Sequence, residues 1–270
     1  MKKVFLFTLS FLFTTSVYSF ELRSPIKEGG LIYGKLSTGE KLYLDNQEIK
    51  STKSGFFFLG LPQDAKILKL ILVTKNEKKE MEFPVLQQKW QEEYITGLQP
   101  DKVTPTNKNQ DRINKENNLI KQARNNFNEN YFPFCFIRPV KNYKRISSPF
   151  GTRRILNNIK KAGHSGVDYA ASIGTKIYAP ADGVVALAHQ DMFLSGKTLL
   201  INHGFGLFSS YSHLNYINVK QGDKVKKGDE IGQVGNTGRS TGPHLHYVIT
   251  WKNVRVDPEQ LITDFSCEKK

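Results

Sequence analysis

The sequence predicts a mainly β protein, on three observations. Apolar and β-branched residues come in short runs with alternating polarity. Gly, Asp-Gly, Asn and Pro interrupt those runs at short intervals, and helix-period patterning is confined to the polar middle of the chain. The 270 residues suffice for one large domain or two modest ones.

Residues 1–19 read as a cleaved secretory signal. Met1-Lys2-Lys3 is a charged start, Val4 to Phe13 a short apolar run, and Val17 and Ser19 are small residues placed for a cut after Ser19. The apolar run falls short of the roughly 20 residues a membrane span requires, and no cysteine follows it to carry a lipid. No later segment is long and apolar enough to span, so the mature protein is expected to be soluble and exported, to the periplasm or beyond.

Residues 20–86 read as a small antiparallel β-domain of sandwich type. Leu31-Ile32-Tyr33, Lys41 to Leu44, Gly55 to Leu59 and Ile67 to Val73 are its strands, and Ser37-Thr38-Gly39, Asp45-Asn46 and Pro62-Gln63-Asp64 fall between them. It holds no cluster of His, Cys or paired carboxylates, and so is a targeting, spacing or occluding module. Residues 87–133 read as a helical linker. Gln88 to Ile95 forms a short helix, and Asn107 to Phe127 a longer one. The longer helix is capped by Thr106, packs lightly through Ile113, Ile120, Ala123 and Phe127, and leaves its charged face solvated.

Residues 134–270 are strand-rich again. Strands are expected at Thr175 to Ala179, Gly183 to Leu187, Lys197 to Ile201, Leu207 to Ser212, Lys224-Val225, Glu230 to Val234 and His246 to Trp251, with no useful helical run among them. Cys135 and Cys267 bracket this half and are compatible with one disulfide in an oxidising compartment. They lie too far apart, without a CxxC partner, to suggest a zinc site.

The net charge of +14 draws an exported protein to anionic polymers. Outside the cytoplasm these are cell-wall polymers and anionic lipid surfaces rather than nucleic acid.

All six histidines lie in the second half. In Ser240-Thr-Gly-Pro-His244-Leu-His246-Tyr247 the two imidazoles stand at i and i+2 of a strand and project to one face. Leu245, Tyr247, Ile249 and Trp251 line the other. His164-Ser-Gly-Val-Asp168 offers a nitrogen and a carboxylate oxygen on a loop entering a strand, and both are ordinary zinc ligands. One more imidazole would complete three protein ligands, and His246 is the candidate. His213, in Tyr211-Ser-His213-Leu, ends a strand, and alternation puts it on the Tyr211 face. Beside a metal, His213 and His244 would move a proton or steady a developing oxyanion. His189 and His203 take no role.

Together these motifs resemble the lysostaphin-type (LytM-like) zinc metallopeptidases. The resemblance rests on His164-x-x-x-Asp168, Tyr211-Ser-His213-Leu and Ser240 to His246. Ser148-Pro-Phe-Gly-Thr-Arg153, Ala179-Pro-Ala-Asp-Gly183 and Gly235-Asn-Thr-Gly238 support it, and together they span about residues 134–262. It implies a C-terminal antiparallel β-sheet peptidase domain of the duplicated hybrid motif type. It also implies one Zn2+ held by His164, Asp168 and His246, with His213 and His244 catalytic and peptidoglycan peptide bonds as substrate. Some relatives have lost these residues and act as activators of separate wall hydrolases. A non-enzymatic wall-binding regulator is therefore the alternative, as is a structural protein whose zinc pins the sheet. All five positions here carry the expected residue types. Val219 to Gly232 resembles the hairpins of biotinyl and lipoyl carrier domains but lacks the Met-Lys-Met type turn, and is expected to be a structural β-hairpin.

Overall fold

The computed structural model describes residues 20–96, 107–125, 128–160 and 162–265. The proposed signal, Thr106, Phe127 and Cys267 lie outside them. Cys135 is disulfide-bonded.

The front half has seven strands: β1 (Glu21–Leu22), β2 (Leu31–Lys35), β3 (Lys41–Leu44), β4 (Gln47–Ile49), β5 (Phe56–Gly60), β6 (Ile67–Val73) and β7 (Lys78–Pro84). They form two antiparallel sheets, ordered β1-β2-β5 and β4-β3-β6-β7. Asp45 and Asn46, both at positive φ, make the two-residue turn between β3 and β4. Residues that tolerate the left-handed region give a hairpin turn whose twist matches its strands. β7 was not expected, because only Met81 of its seven residues is buried. A charged edge strand lacks the apolar signature of a central one.

β8 (Glu92–Ile95) overturns the helix expected over Gln88 to Ile95. It pairs in parallel with β10 (Arg153–Leu156), which follows β9 (Arg145–Ser148) and returns through β11 (Ile159–Lys160). The cause is tertiary. Trp90 packs edge-on against Phe150 at 5.7 Å between ring centroids. A side chain on Gly151 would meet the Trp90 ring at 2.1 Å. Docking Trp90 there lays the following residues alongside β10, which outweighs their weak helical preference.

Helix α1 (Asn107–Arg124) forms where a helix was expected, but its charged face is not simply solvated. Arg112 bonds Glu116 and reaches Asp191, the Phe193 amide donates to Glu116, and Arg124 donates to Ser210. Burial pushes the Arg124 guanidinium down to about 10.

The remaining strands are β12 (Val167–Ala170), β13 (Lys176–Tyr178), β14 (Gly183–Met192), β15 (Gly196–Asn202), β16 (Leu207–Ile217), β17 (Lys224–Val225), β18 (Glu230–Val234), β19 (His244–Trp251) and β20 (Val254–Val256). The large sheet runs β17-β14-β15-β16-β19-β12-β9, with β13, β18 and β20 attached at its margins. β17 and β18 do not form the expected hairpin: β17 pairs with β14, and β18 with β13 and β16. The intervening turn is fastened to other segments, its Gly228 amide donating to Ala179, so its arms part. A short helix, α2 (Pro258–Asp264), closes the described chain. Its signal was Asp257-Pro258, a capping acid before a proline at the first helical position.

Buried residues of both halves form one cluster. Phe58 stacks on Phe132 at 4.4 Å, Phe132 meets Phe205 at 5.3 Å, and Tyr33 meets Phe265 at 5.8 Å. Such aromatic pairs contribute about 0.5–1.5 kcal/mol each beyond their buried area. Gln260 accepts from the Leu31 amide and Asp257 donates its amide to Gly29. Among the described residues, no helix is long and apolar enough to cross a membrane.

Candidate metal centre and active site

Strand pairing does most of the assembly. β12 and β19 run antiparallel with Asp168 directly opposite His246, and β16 lies on the other side of β19 with Ser212 opposite His246. Directly opposed residues share a face with their Cβ atoms about 5 Å apart. The Asp168 Oδ1–His246 Nδ1 contact of 2.7 Å follows from that register.

His164 arrives from the loop before β12. Its amide donates to Thr152, and its carbonyl accepts from Gly151. Gly166 lets this loop press against β19, since a Cβ there would stand 2.2 Å from the Tyr247 carbonyl oxygen.

His164 Nε2 stands 3.1 Å from Asp168 Oδ1 and 3.1 Å from His246 Nδ1. Its Nδ1–H donates to the Pro149 carbonyl at 2.9 Å, which makes Nε2 of the neutral ring a lone-pair atom. A lone pair and a carboxylate oxygen then face each other with no hydrogen between them, and a cation satisfies that arrangement. His164 and Asp168 are only 8% and 7% exposed, so water compensates little. Tetrahedral zinc with ordinary bond lengths sets its ligand atoms about 3.3 Å apart, close to this triangle. The residues fit the ion. Burial alone would raise the Asp168 pKa, but the His164 and His246 side chains packed against it hold the carboxyl well below the usual carboxylate range. Burial lowers the His246 pKa despite that carboxylate, favouring the neutral ring a metal requires.

His213 and His244 complete the cluster. Their rings are 4.7 Å apart, and His213 is 6.2 Å from the His246 ring. His244 Nε2 is 3.8 Å from Asp168 Oδ1, outside the tight triangle. Its Nδ1–H donates to Gly242 at 2.8 Å, with Ser240 Oγ 3.2 Å away. The His213 Nδ1–H donates to the Thr237 carbonyl at 2.7 Å. Each ring is thus held through Nδ1, with Nε2 left as its acceptor. Burial pushes His213 down to about 4, and nearby His244 and His246 push the same way.

His213 does not sit on the Tyr211 face as alternation predicted. Tyr211 lies opposite Tyr247, on the face away from His246, whereas the His213 ring meets His244 and His246. The backbone explains the change: His213 has φ 63°, a left-handed conformation, and the pairing of β16 shifts across it and again just after it. Such a position costs a non-glycine residue on the order of 1–2 kcal/mol. It turns the side chain across the sheet, which period-two reading cannot show.

The two histidines without a role lie elsewhere. His189 accepts from the Asp191 amide at 3.2 Å. His203 is fully buried; its Nδ1–H donates to Asp182 and its Nε2 accepts from Ser209.

An antiparallel sheet carrying a two-histidine, one-aspartate metal triangle with two further histidines beside it defines a metallohydrolase type of site. Residues 162–258 match the profile of peptidase family M23, and the chain carries an M23 (LytM-like) domain. It is 46% identical over 110 residues to the peptidoglycan DD-endopeptidase ShyA of Vibrio cholerae, covering 40% of this chain and 25% of that protein. To the DD-carboxypeptidase/endopeptidase Mpg of Neisseria meningitidis it is 44% identical over 118 residues, covering 43% and 26%. The chain thus matches about a quarter of the length of these relatives. A crystal structure of a Pseudomonas aeruginosa protein assigned to peptidase M23 superposes with TM-score 0.69 at 28% identity, covering 90% of this chain and 97% of that one.

Proposed function

We propose that this chain is an exported zinc-dependent endopeptidase that hydrolyses peptide bonds in the stems or cross-links of peptidoglycan. The observation that carries the reading is the convergence of His164 Nε2, Asp168 Oδ1 and His246 Nδ1 beside two histidines that are each held through Nδ1. His164, Asp168 and His246 would hold one zinc ion. When bound, zinc supplies Lewis acidity toward a carbonyl oxygen and makes water acidic enough to attack near neutral pH. His213 and His244 share the remaining work, accepting a proton at Nε2 and returning it to the leaving amine, or donating to the tetrahedral oxyanion. Their fixed Nδ1 hydrogen bonds spare the reaction the cost of choosing a tautomer.

The excess positive charge favours approach to an anionic wall. In this reading residues 1–19 are the export signal, 20–86 and 87–133 the front module and its linker, and 134–270 the peptidase unit. The shared core supports a front half that props the site rather than a removable cover. Gln63 donates to the Gly151 carbonyl at 3.0 Å, and Trp90 braces Phe150, beside the loop that holds His164. An intact donor set argues against a purely regulatory role.

Mass spectrometry of fragments from defined muropeptides tests the proposal. Chelator-treated protein should release nothing, and equimolar zinc should restore one new amine and one new carboxylate per cut. Undiminished cleavage after complete metal removal would contradict it.

A further inference from the structure

We propose that Thr237 is a positioning residue for His213, acting through a clamp made with Ser195, Gly196 and Gly238. The inference rests on the endopeptidase reading for its kinetic arm and on geometry alone for its spectroscopic arm.

The Thr237 hydroxyl bridges two strands. It accepts from the Lys197 amide at 2.9 Å and donates to the Leu214 carbonyl at 2.9 Å. Leu214 directly follows His213, and the Thr237 carbonyl receives the His213 Nδ1–H. The same residue therefore pins the backbone after His213 and orients its ring. From the other side, the His213 amide donates to the Ser195 carbonyl at 2.8 Å. The two turns that supply these groups interlock: the Arg239 amide donates to Leu194 at 2.9 Å. A Cβ on Gly196 would stand 2.3 Å from Thr237 Oγ1, and one on Gly238 2.4 Å from the Gly196 nitrogen. Both glycines have positive φ, so close approach and backbone conformation demand glycine at each.

The clamp holds an unfavourable backbone conformation. Released from it, His213 relaxes toward extended backbone, and alternation then carries its ring to the Tyr211 face, away from His244 and His246. The Gly-Asn-Thr-Gly motif, which supplies no metal ligand, thereby acquires a role: it selects the face and the tautomer that His213 presents.

The test compares Thr237→Val, which keeps the shape and loses the hydroxyl, with Thr237→Ser, which keeps the hydroxyl. Both are studied as full-length, zinc-loaded protein. Thr237→Val should lower kcat on a synthetic muropeptide at least tenfold, with KM within twofold and zinc still one per chain. Thr237→Ser should recover most of the loss. Histidine 15N NMR should show a single Nδ1–H tautomer for His213 in the wild type and in Thr237→Ser. In Thr237→Val it should show a mixture of tautomers. An unchanged His213 tautomer in Thr237→Val, or equal losses in the two variants, would overturn the proposal. If the wild-type protein cuts no muropeptide, the endopeptidase reading fails, and the NMR comparison still decides the clamp.

Discussion

Strand β16 has a hydrogen-bonded histidine, His203, against one face and a cluster of four histidines at the other, and the two are built on opposite principles. On one face Ser209 and Tyr211 are hydrogen-bonded at 2.8 Å, and Ser209 bonds His203 Nε2. His203 has both nitrogens occupied by protein and lies sealed in the core. On the other face, His164, His213 and His244 each fix Nδ1 on a backbone carbonyl, and His246 turns Nδ1 inward to Asp168. Each of these rings keeps one nitrogen for the site. A structural histidine saturates its hydrogen bonds, while a working one is held by one nitrogen and offers the other. Burial differs in the same sense: His203 is fully buried, whereas the His244 and His246 side chains are 16% and 18% exposed.

The largest effect that sharpens this contrast is removal of Asp168. Asp168→Ala leaves His164 and His246 without their common anion. Zinc content measured by atomic absorption should fall from one per chain to near zero, and hydrolysis with it. Next come His213→Ala and His244→Ala. Each should retain zinc and lose roughly 10²–10⁴-fold in kcat, the range of a lost proton-transfer group. Wild-type turnover in His213→Ala would make the zinc merely structural.

His203 gives the smaller effect, on stability alone. Burial pushes its pKa from 6.5 down to about 4. Above pH 6.5 both folded and unfolded chains hold it neutral, and it adds no pH dependence. As pH falls from 6.5 to 4 the unfolded chain takes up the proton first, so stability declines, by on the order of 3 kcal/mol across that span. Urea melts at pH 7 and pH 5 should show a shallower decline in His203→Gln, with muropeptide cleavage at pH 7 retained. An identical slope in the variant would remove His203 from the account.

The front half offers a further contrast. Residues 134–265 contain the whole metal cluster, yet Phe132, Phe58 and Tyr33 belong to the shared aromatic core. A fragment of residues 134–270 should melt at least 10 °C below the mature chain in calorimetry. Equal melting would show that the halves are energetically independent.

Much of this was legible in the sequence because it depends on local periodicity. The strands from β13 to β19 follow alternation and glycine punctuation, and the His244/His246 pair follows the two-residue repeat. What was not legible depends on contacts between distant segments. Nothing in residues 88–95 announces that Trp90 docks on Gly151, which makes β8 a strand rather than a helix. Nothing in Tyr211-Ser-His213 announces a left-handed residue, because the turns of Ser195 and Thr237 impose it. The arms of the Val219 to Gly232 segment separate for the same reason.

The central claim is that His164, Asp168 and His246 hold the ion on which peptide hydrolysis depends. His246→Ala, compared with wild type for zinc content and for release of muropeptides from purified sacculi, tests it most directly. The account predicts one zinc and steady release for the wild type and neither for the variant. Full digestion of sacculi by His246→Ala would contradict it.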